Sequence, residues 1–243
     1  MQPKSINKKN SNNNQKKDLA NDISLKEILI LTVGIITIIL LIFVVPRLFD
    51  EKPKTMDQLF EENYNKEPTE DNYIYNGFSF IRLTDDETMV RFWYTRYQVG
   101  NTLFTIPFRF GPKEVEQIPI EIIEPLPLKD YSTMYITIDP REASESRAYL
   151  TLAVSELTEI LSKVRQYDIR AACSENLTNA CINRPIVNCE INKNDIIVYF
   201  QEDQQEKIEI NKNCFILYGT NESLVKTVNR FLYGLLGIIE NQE

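Results

Sequence analysis

The chain contains no histidine. Every mechanism that needs an imidazole is thereby excluded, among them the Ser-His-Asp triad, the Cys-His pair and histidine-ligated zinc or non-haem iron. Glycine is nearly as scarce. Its seven positions, Gly34, Gly77, Gly100, Gly111, Gly219, Gly234 and Gly237, include no group placed to cradle a phosphate, so P-loop and dinucleotide-binding turns are excluded as well. What remains implies no cofactor.

Charge is plentiful but divided. Lys4, Lys8, Lys9, Lys16, Lys17 and Lys26 against Asp18, Asp22 and Glu27 give the first 27 residues a net +3, and with −8 over all 243 residues the rest carries −11. A body so acidic repels phosphate backbones, and nucleic acid is not an expected partner.

From Ile28 to Pro46 run nineteen residues without a charge, dominated by Ile, Leu and Val. As a helix they span about 28 Å, the thickness of a bilayer core. Thr32 and Thr37 are their only polar side chains, whereas a long helix of a soluble protein keeps a polar face. Ser24 and Glu27 form a capping-box pattern ahead of the run, and Pro46 with Arg47 marks its end. A cleaved signal peptide is the main competitor, but the run is longer than a usual signal core. In addition, Val44-Val45-Pro46-Arg47-Leu48-Phe49 lacks the small residues that signal peptidase needs. Residues 24–47 therefore read as a signal-anchor in contact with the lipid bilayer through 28–46. The lysines before it place the amino terminus in the cytoplasm and the body outside the cell membrane by the positive-inside rule. Residues 1–23, rich in Asn, Lys and Gln, read as a disordered basic cytoplasmic tail.

Residues 48–72 read as an acidic stalk, in which Met56, Leu59, Phe60 and Tyr64 have the spacing of a short amphipathic helix. Residues 73–129 are β-rich. Three strands are expected at Tyr73 to Leu83, Thr88 to Gln98 and Thr102 to Phe110, with an extended proline-containing connection after them and at most an edge strand near Ile118 to Ile123. Residues 130–243 alternate in texture. A strand at Ser132 to Ile138 leads into a helix with Asp139 as cap, Pro140 at its first position and Glu142 completing the box; Leu150, Val154, Leu157 and Leu161 make its apolar face. Further strands follow at Tyr167 to Ala172, Asp195 to Phe200, Lys207 to Ile210 and Cys214 to Tyr218. A last helix is expected after Gly219, capped by Asn221, with Leu224, Val228, Phe231, Leu232, Leu235 and Ile239 on one side. The class is α+β, a transmembrane helix followed by a mainly antiparallel sheet and two major helices.

The four cysteines, Cys173, Cys181, Cys189 and Cys214, all lie in the body. An even count on an exported side fits disulfides, and no C-x-x-C spacing supports a metal site. Three pairings are open; the preferred one joins Cys173 to Cys181 and Cys189 to Cys214. Asn176-Leu177-Thr178 and Asn221-Glu222-Ser223 are sequons, so Asn176 and Asn221 are candidate glycosylation sites. The one motif with a catalytic look is Ser223-Leu224-Val225-Lys226, an S-x-x-K spacing without the S-D-N and K-T-G elements that accompany it in enzymes. Helix-start chemistry accounts for Ser223, and surface solvation accounts for Lys226. Glu121 with Glu124 and Asp139 with Glu142 have the residue types of a glycosidase pair, but spacing alone makes no cleft.

The tail, the anchor, Tyr75-Asn76-Gly77-Phe78, Phe92-Trp93-Tyr94-Thr95, Pro112-Lys113-Glu114-Val115-Glu116, Cys173-Ser174-Glu175-Asn176-Leu177-Thr178 and Arg230-Phe231-Leu232-Tyr233-Gly234 together resemble a group of membrane-anchored proteins of small-genome archaea. That resemblance implies a cell-surface location; it carries no activity, cofactor, partner or site residue. The expected function is a non-catalytic envelope, adhesion or protein-interaction module whose partner is a surface protein or a glycan. The alternative is a membrane-tethered hydrolase that uses Ser223 with Lys226 or a carboxylate pair.

Overall fold

The computed structural model describes residues 25–49, 54–85, 88–125, 131–141, 147–177, 179–191 and 194–240. The chain divides into two units, Met1–Lys54 and Thr55–Glu243. In the first, helix α1 (Leu25–Phe49) continues past Pro46, where the sequence suggested its end. From Ile28 to Val45 it is long and apolar enough to cross a membrane, and none of that stretch is buried. Both hydroxyls in it are satisfied within the helix, Thr32 Oγ1 donating to Leu29 O at 2.9 Å and Thr37 Oγ1 to Val33 O at 2.8 Å, as hydrocarbon surroundings require. The expected cap Ser24 and the tail 1–23 lie outside the described residues.

The second unit opens with α2 (Met56–Asn65). Thr55 caps it: its hydroxyl accepts from Gln58 N at 3.3 Å while Gln58 Oε1 accepts from Thr55 N at 3.0 Å, a reciprocal box. Part of what reads as a stalk is thus folded structure. Asn63 is buried and its Nδ2 donates to Ser79 Oγ at 2.8 Å, Phe80 O at 3.0 Å and Tyr73 O at 3.2 Å, fastening α2 to the first hairpin. Asn63→Ala leaves those acceptors without their donor and should cost about 1–3 kcal/mol, read as a lowered thermal midpoint; a change within experimental error would show that the fastening is dispensable.

Strands β1 (Asn72–Tyr75), β2 (Phe78–Thr84), β3 (Arg91–Val99) and β4 (Thr102–Phe108) form a four-stranded antiparallel sheet in sequence order. The run from Tyr73 to Leu83 is therefore a hairpin and not one strand. Asn76 and Gly77 turn it with φ of 46° and 82°, the left-handed pair of a type I′ turn. After β4 the chain makes a single helical turn, α3 (Pro112–Val115), where an extended connection was expected. Its start is pinned by the Glu114 carboxylate, whose Oε2 accepts from Gly111 N at 2.6 Å and from Trp93 Nε1 at 2.7 Å. Gly111 leaves no room for a side chain: a Cβ there would stand 2.5 Å from the Tyr73 hydroxyl.

The remaining elements are β5 (Ile120–Glu124), β6 (Thr133–Ile138), α4 (Arg147–Val164), β7 (Asp168–Cys173), β8 (Ile196–Gln201), β9 (Lys207–Asn211), β10 (Cys214–Tyr218) and α5 (Glu222–Leu235). Their sheet has the order β5-β9-β10-β8-β6-β7. The α+β class stands. In this second sheet, however, only β9 with β10 is antiparallel; the other pairings are parallel. The cause is connection length: β6 returns to β7 through α4, a crossover long enough for parallel neighbours, and β10 is inserted between β8 and β9. Both helix starts differ from expectation. α4 begins at Arg147, and Asp139 Oδ1 instead accepts from Arg141 N at 2.8 Å; Glu142 lies outside the described residues. At α5, Asn221 has φ 53° and makes no capping bond, because an N-cap needs extended backbone. Ser223 acts there, its Oγ accepting from Thr220 N and donating to Thr220 O, both at 2.8 Å.

One core joins both sheets to α4 and α5. Residues 73–129 and 130–243, successive in texture, therefore share a single interior. α5 is its axis: besides the expected Leu224, Val228, Phe231 and Leu232, it also buries Val225, Thr227, Asn229, Arg230 and Tyr233. The last five show that burial surrounds the helix where one apolar face was expected.

Candidate functional site

The cysteines are joined as Cys173 with Cys181 and Cys189 with Cys214, and none is free. Along β8 and β10, Val198 and Phe215 belong to the main core, whereas Ile197 and Cys214 pack with Ala172 and Val187 in a second cluster. Alternate residues of a strand face opposite ways. The Cys189 bridge thus holds its segment against the sheet face that the helices do not cover. Asn176 and Asn221 are both exposed; Thr178 of the first sequon lies outside the described residues.

Among the described residues, the catalytic-looking ones of the sequence are held by other partners, and Glu142 lies outside the described residues. Ser223 is occupied by the Thr220 backbone, while Lys226 Nζ lies 3.3 Å from Glu222 Oε1 and 5.2 Å from the centre of the Phe110 ring. Glu121 and Glu124 each face a different lysine of β9 or its end, Lys207 at 4.0 Å and Lys212 at 2.9 Å. Asp139 is held below the usual carboxylate range chiefly by its hydrogen bonds from the Arg141 side chain, at 2.8 Å and 3.0 Å. These are ion pairs of turns and strands.

A different constellation forms between the first sheet and α4. The β3–β4 register sets Tyr94 opposite Pro107 and Trp93 opposite Phe108, which puts Phe92, Tyr94, Pro107 and Arg109 on one face. Facing them, Leu152, Ser155, Glu156 and Glu159 follow at i, i+3, i+4 and i+7 along α4, one side of a helix. The cleft between the two walls has a volume of about 240 Å³. The Phe92 and Tyr94 rings stand 6.4 Å apart, and the Arg109 guanidinium lies 5.0 Å over the Phe92 ring.

Glu156 is the unusual group in this cleft. Its Oε1 accepts from Arg109 N at 3.1 Å, and its Oε2 is shut off from solvent. Burial pushes its carboxyl up to about 7, against the opposing pull of the Arg109 N–H, the Asn229 side chain and the Arg109 charge. Directly behind it, Phe110 N donates to the fully buried Asn229 Oδ1 at 2.9 Å, and Tyr233 Oη donates to Phe110 O at 2.7 Å. The two residues that leave β4 are thus held by side chains of α4 and α5. Neither Glu156 nor Asn229 stood out in the sequence. The available signal was position: Glu156 falls between Ala153 and Ile160 within the apolar stripe of α4, and a carboxylate inside such a stripe must be buried, paired or functional.

A second cavity, also about 240 Å³, is lined by apolar side chains such as Ile120, Ile210, Phe215 and Phe231. It offers shape without chemistry. Compared with family models, with curated proteins and with solved structures, the chain matches none, so the cleft of Glu156 has to be interpreted from its own residues.

Proposed function

We propose that this protein is a single-pass, membrane-tethered binding module with its amino terminus in the cytoplasm and its body outside the cell membrane, where it meets a surface protein or a glycan. The observation that carries this reading is the combination of one apolar helix with a body stapled by two disulfides, since such bridges persist in oxidising compartments. The separation of Ser223 from Lys226 in their contacts supports a non-catalytic role. A second reading, a hydrolase with a carboxylate pair, draws support from Glu156 and Glu159 lining one cleft, because a carboxyl raised toward neutrality suits a general acid.

Protease added to intact cells should remove the body and leave a small membrane-bound fragment. A body protected until lysis would reverse the orientation. Four alkylatable thiols in freshly isolated protein would remove the oxidising compartment. To separate the two functional readings, partner binding should survive in Ser223→Ala with Lys226→Ala, and the wild type should show no turnover; an enzyme of the second kind would instead show a turnover that falls by orders of magnitude in Glu159→Gln.

A further inference from the structure

We propose that the cleft between β3, β4 and α4 binds one sugar ring, such as the terminal residue of a glycan; the proposal rests on the reading of the chain as an extracytoplasmic binding module. Size is the first argument. A volume of about 240 Å³ lies below the range that accommodates drug-sized molecules, which restricts the occupant to a small ligand such as a single pyranose.

The two walls supply the second argument. The sheet side offers the rings of Phe92 and Tyr94, 6.4 Å apart and tilted at 60°, against which the C–H face of a pyranose can lie. On the helix side stand acceptors, the carboxylate of Glu159 and the hydroxyl of Ser155, both on exposed residues. Arg109 completes the set with donors. Its guanidinium stacks on Phe92 and makes no ion pair among the described residues, which leaves its N–H groups for a ligand. A hydroxyl is the group that donates and accepts at one atom, so a ring bearing several of them uses a cleft lined by both a carboxylate and a guanidinium.

Charge decides between ligand classes. Arg109 and Lys163, the latter 2.7 Å from Glu159, balance Glu156 and Glu159. An organic cation would approach the Arg109 guanidinium, and an anion would approach two carboxyl groups. A neutral polyhydroxy ligand meets neither penalty, and its binding should depend weakly on salt.

The test uses the full chain in lipid nanodiscs and saturation-transfer NMR with the methyl glycosides of glucose, mannose and galactose and with N-acetylglucosamine. Spermidine and glucuronate serve as the cationic and anionic probes. Transfer is expected to the ring protons of at least one neutral sugar, with affinity about tenfold weaker in Tyr94→Ala. Should that variant lose its fold, the exposed position Glu159→Gln carries the same expectation. Transfer to spermidine alone, to glucuronate alone or to no probe overturns the proposal, as does sugar binding that both variants leave intact. Failure of the underlying reading looks different: a bound oligosaccharide that is cleaved at the same cleft keeps the sugar and removes the non-catalytic role.

Discussion

Tyr233→Ala is expected to lower the folding free energy by about 4 kcal/mol, the cost of emptying a large buried aromatic site. Tyr233 has no exposed surface. Its ring centre lies 4.3 Å from that of Phe108 and meets Phe80 edge-on at 5.8 Å, so one side chain of α5 holds β2 and β4 together. Its hydroxyl also satisfies Phe110 O at 2.7 Å. Tyr233→Phe separates the two contributions: it keeps the ring, leaves Phe110 O without this donor and should cost about 1–3 kcal/mol. Urea denaturation of both variants measures them. Against a total stability of roughly 5–15 kcal/mol for an ordinary domain, the alanine variant should lose between about a quarter and four-fifths of it. A loss below that of the phenylalanine variant would show that the first sheet is not fastened through this ring.

The second large effect is a pH dependence centred on Glu156. Its folded carboxyl is raised, first by burial, to about 7 from 4.5. The sign follows from proton counting: between these values the folded state holds a proton that the unfolded state has lost, so stability falls as pH rises. The contribution is complete below about 4.5, is lost as pH passes through about 7, and amounts to roughly 3 kcal/mol. Glu156→Gln keeps an acceptor for Arg109 N and removes the titration. The stability difference, wild type minus variant, should therefore decrease by that amount from pH 4 to pH 8. Equal pH profiles for the two proteins would mean that the carboxylate is solvated in the folded state. Asp139 works in the opposite sense, since hydrogen bonds from Arg141 lower it and stability from it is lost toward acid; taking the difference between two proteins that share Asp139 cancels it.

How much was legible in the sequence depends on the range of the interaction. The apolar stretch inside α1, the short helix α2 and the strands β3 and β4 could be placed because their signals are continuous runs or fixed spacings of neighbouring residues. Boundaries failed where two local signals competed. Asp139-Pro140 resembles a helix start, yet the Asp139 carboxylate closes a turn on Arg141; Asn221 resembles a cap, yet its backbone is left-handed. Asn76-Gly77 carried a hairpin signal that the surrounding hydrophobic run obscured.

By itself the sequence determined an apolar span followed by an acidic α+β body with an even set of cysteines, and it excluded every imidazole and phosphate-loop mechanism, because these properties follow from composition and local order. Only the tertiary structure decided that the second sheet is largely parallel, that α5 is buried on all sides, and that Phe92, Tyr94 and Arg109 face Glu156 and Glu159 across one cleft. The physical reason is separation along the chain. Phe110 and Asn229 are hydrogen-bonded across 119 residues, and Phe110 and Tyr233 across 123. No periodicity reaches that far, so the pairing of such distant groups is set by how the sheets and helices pack.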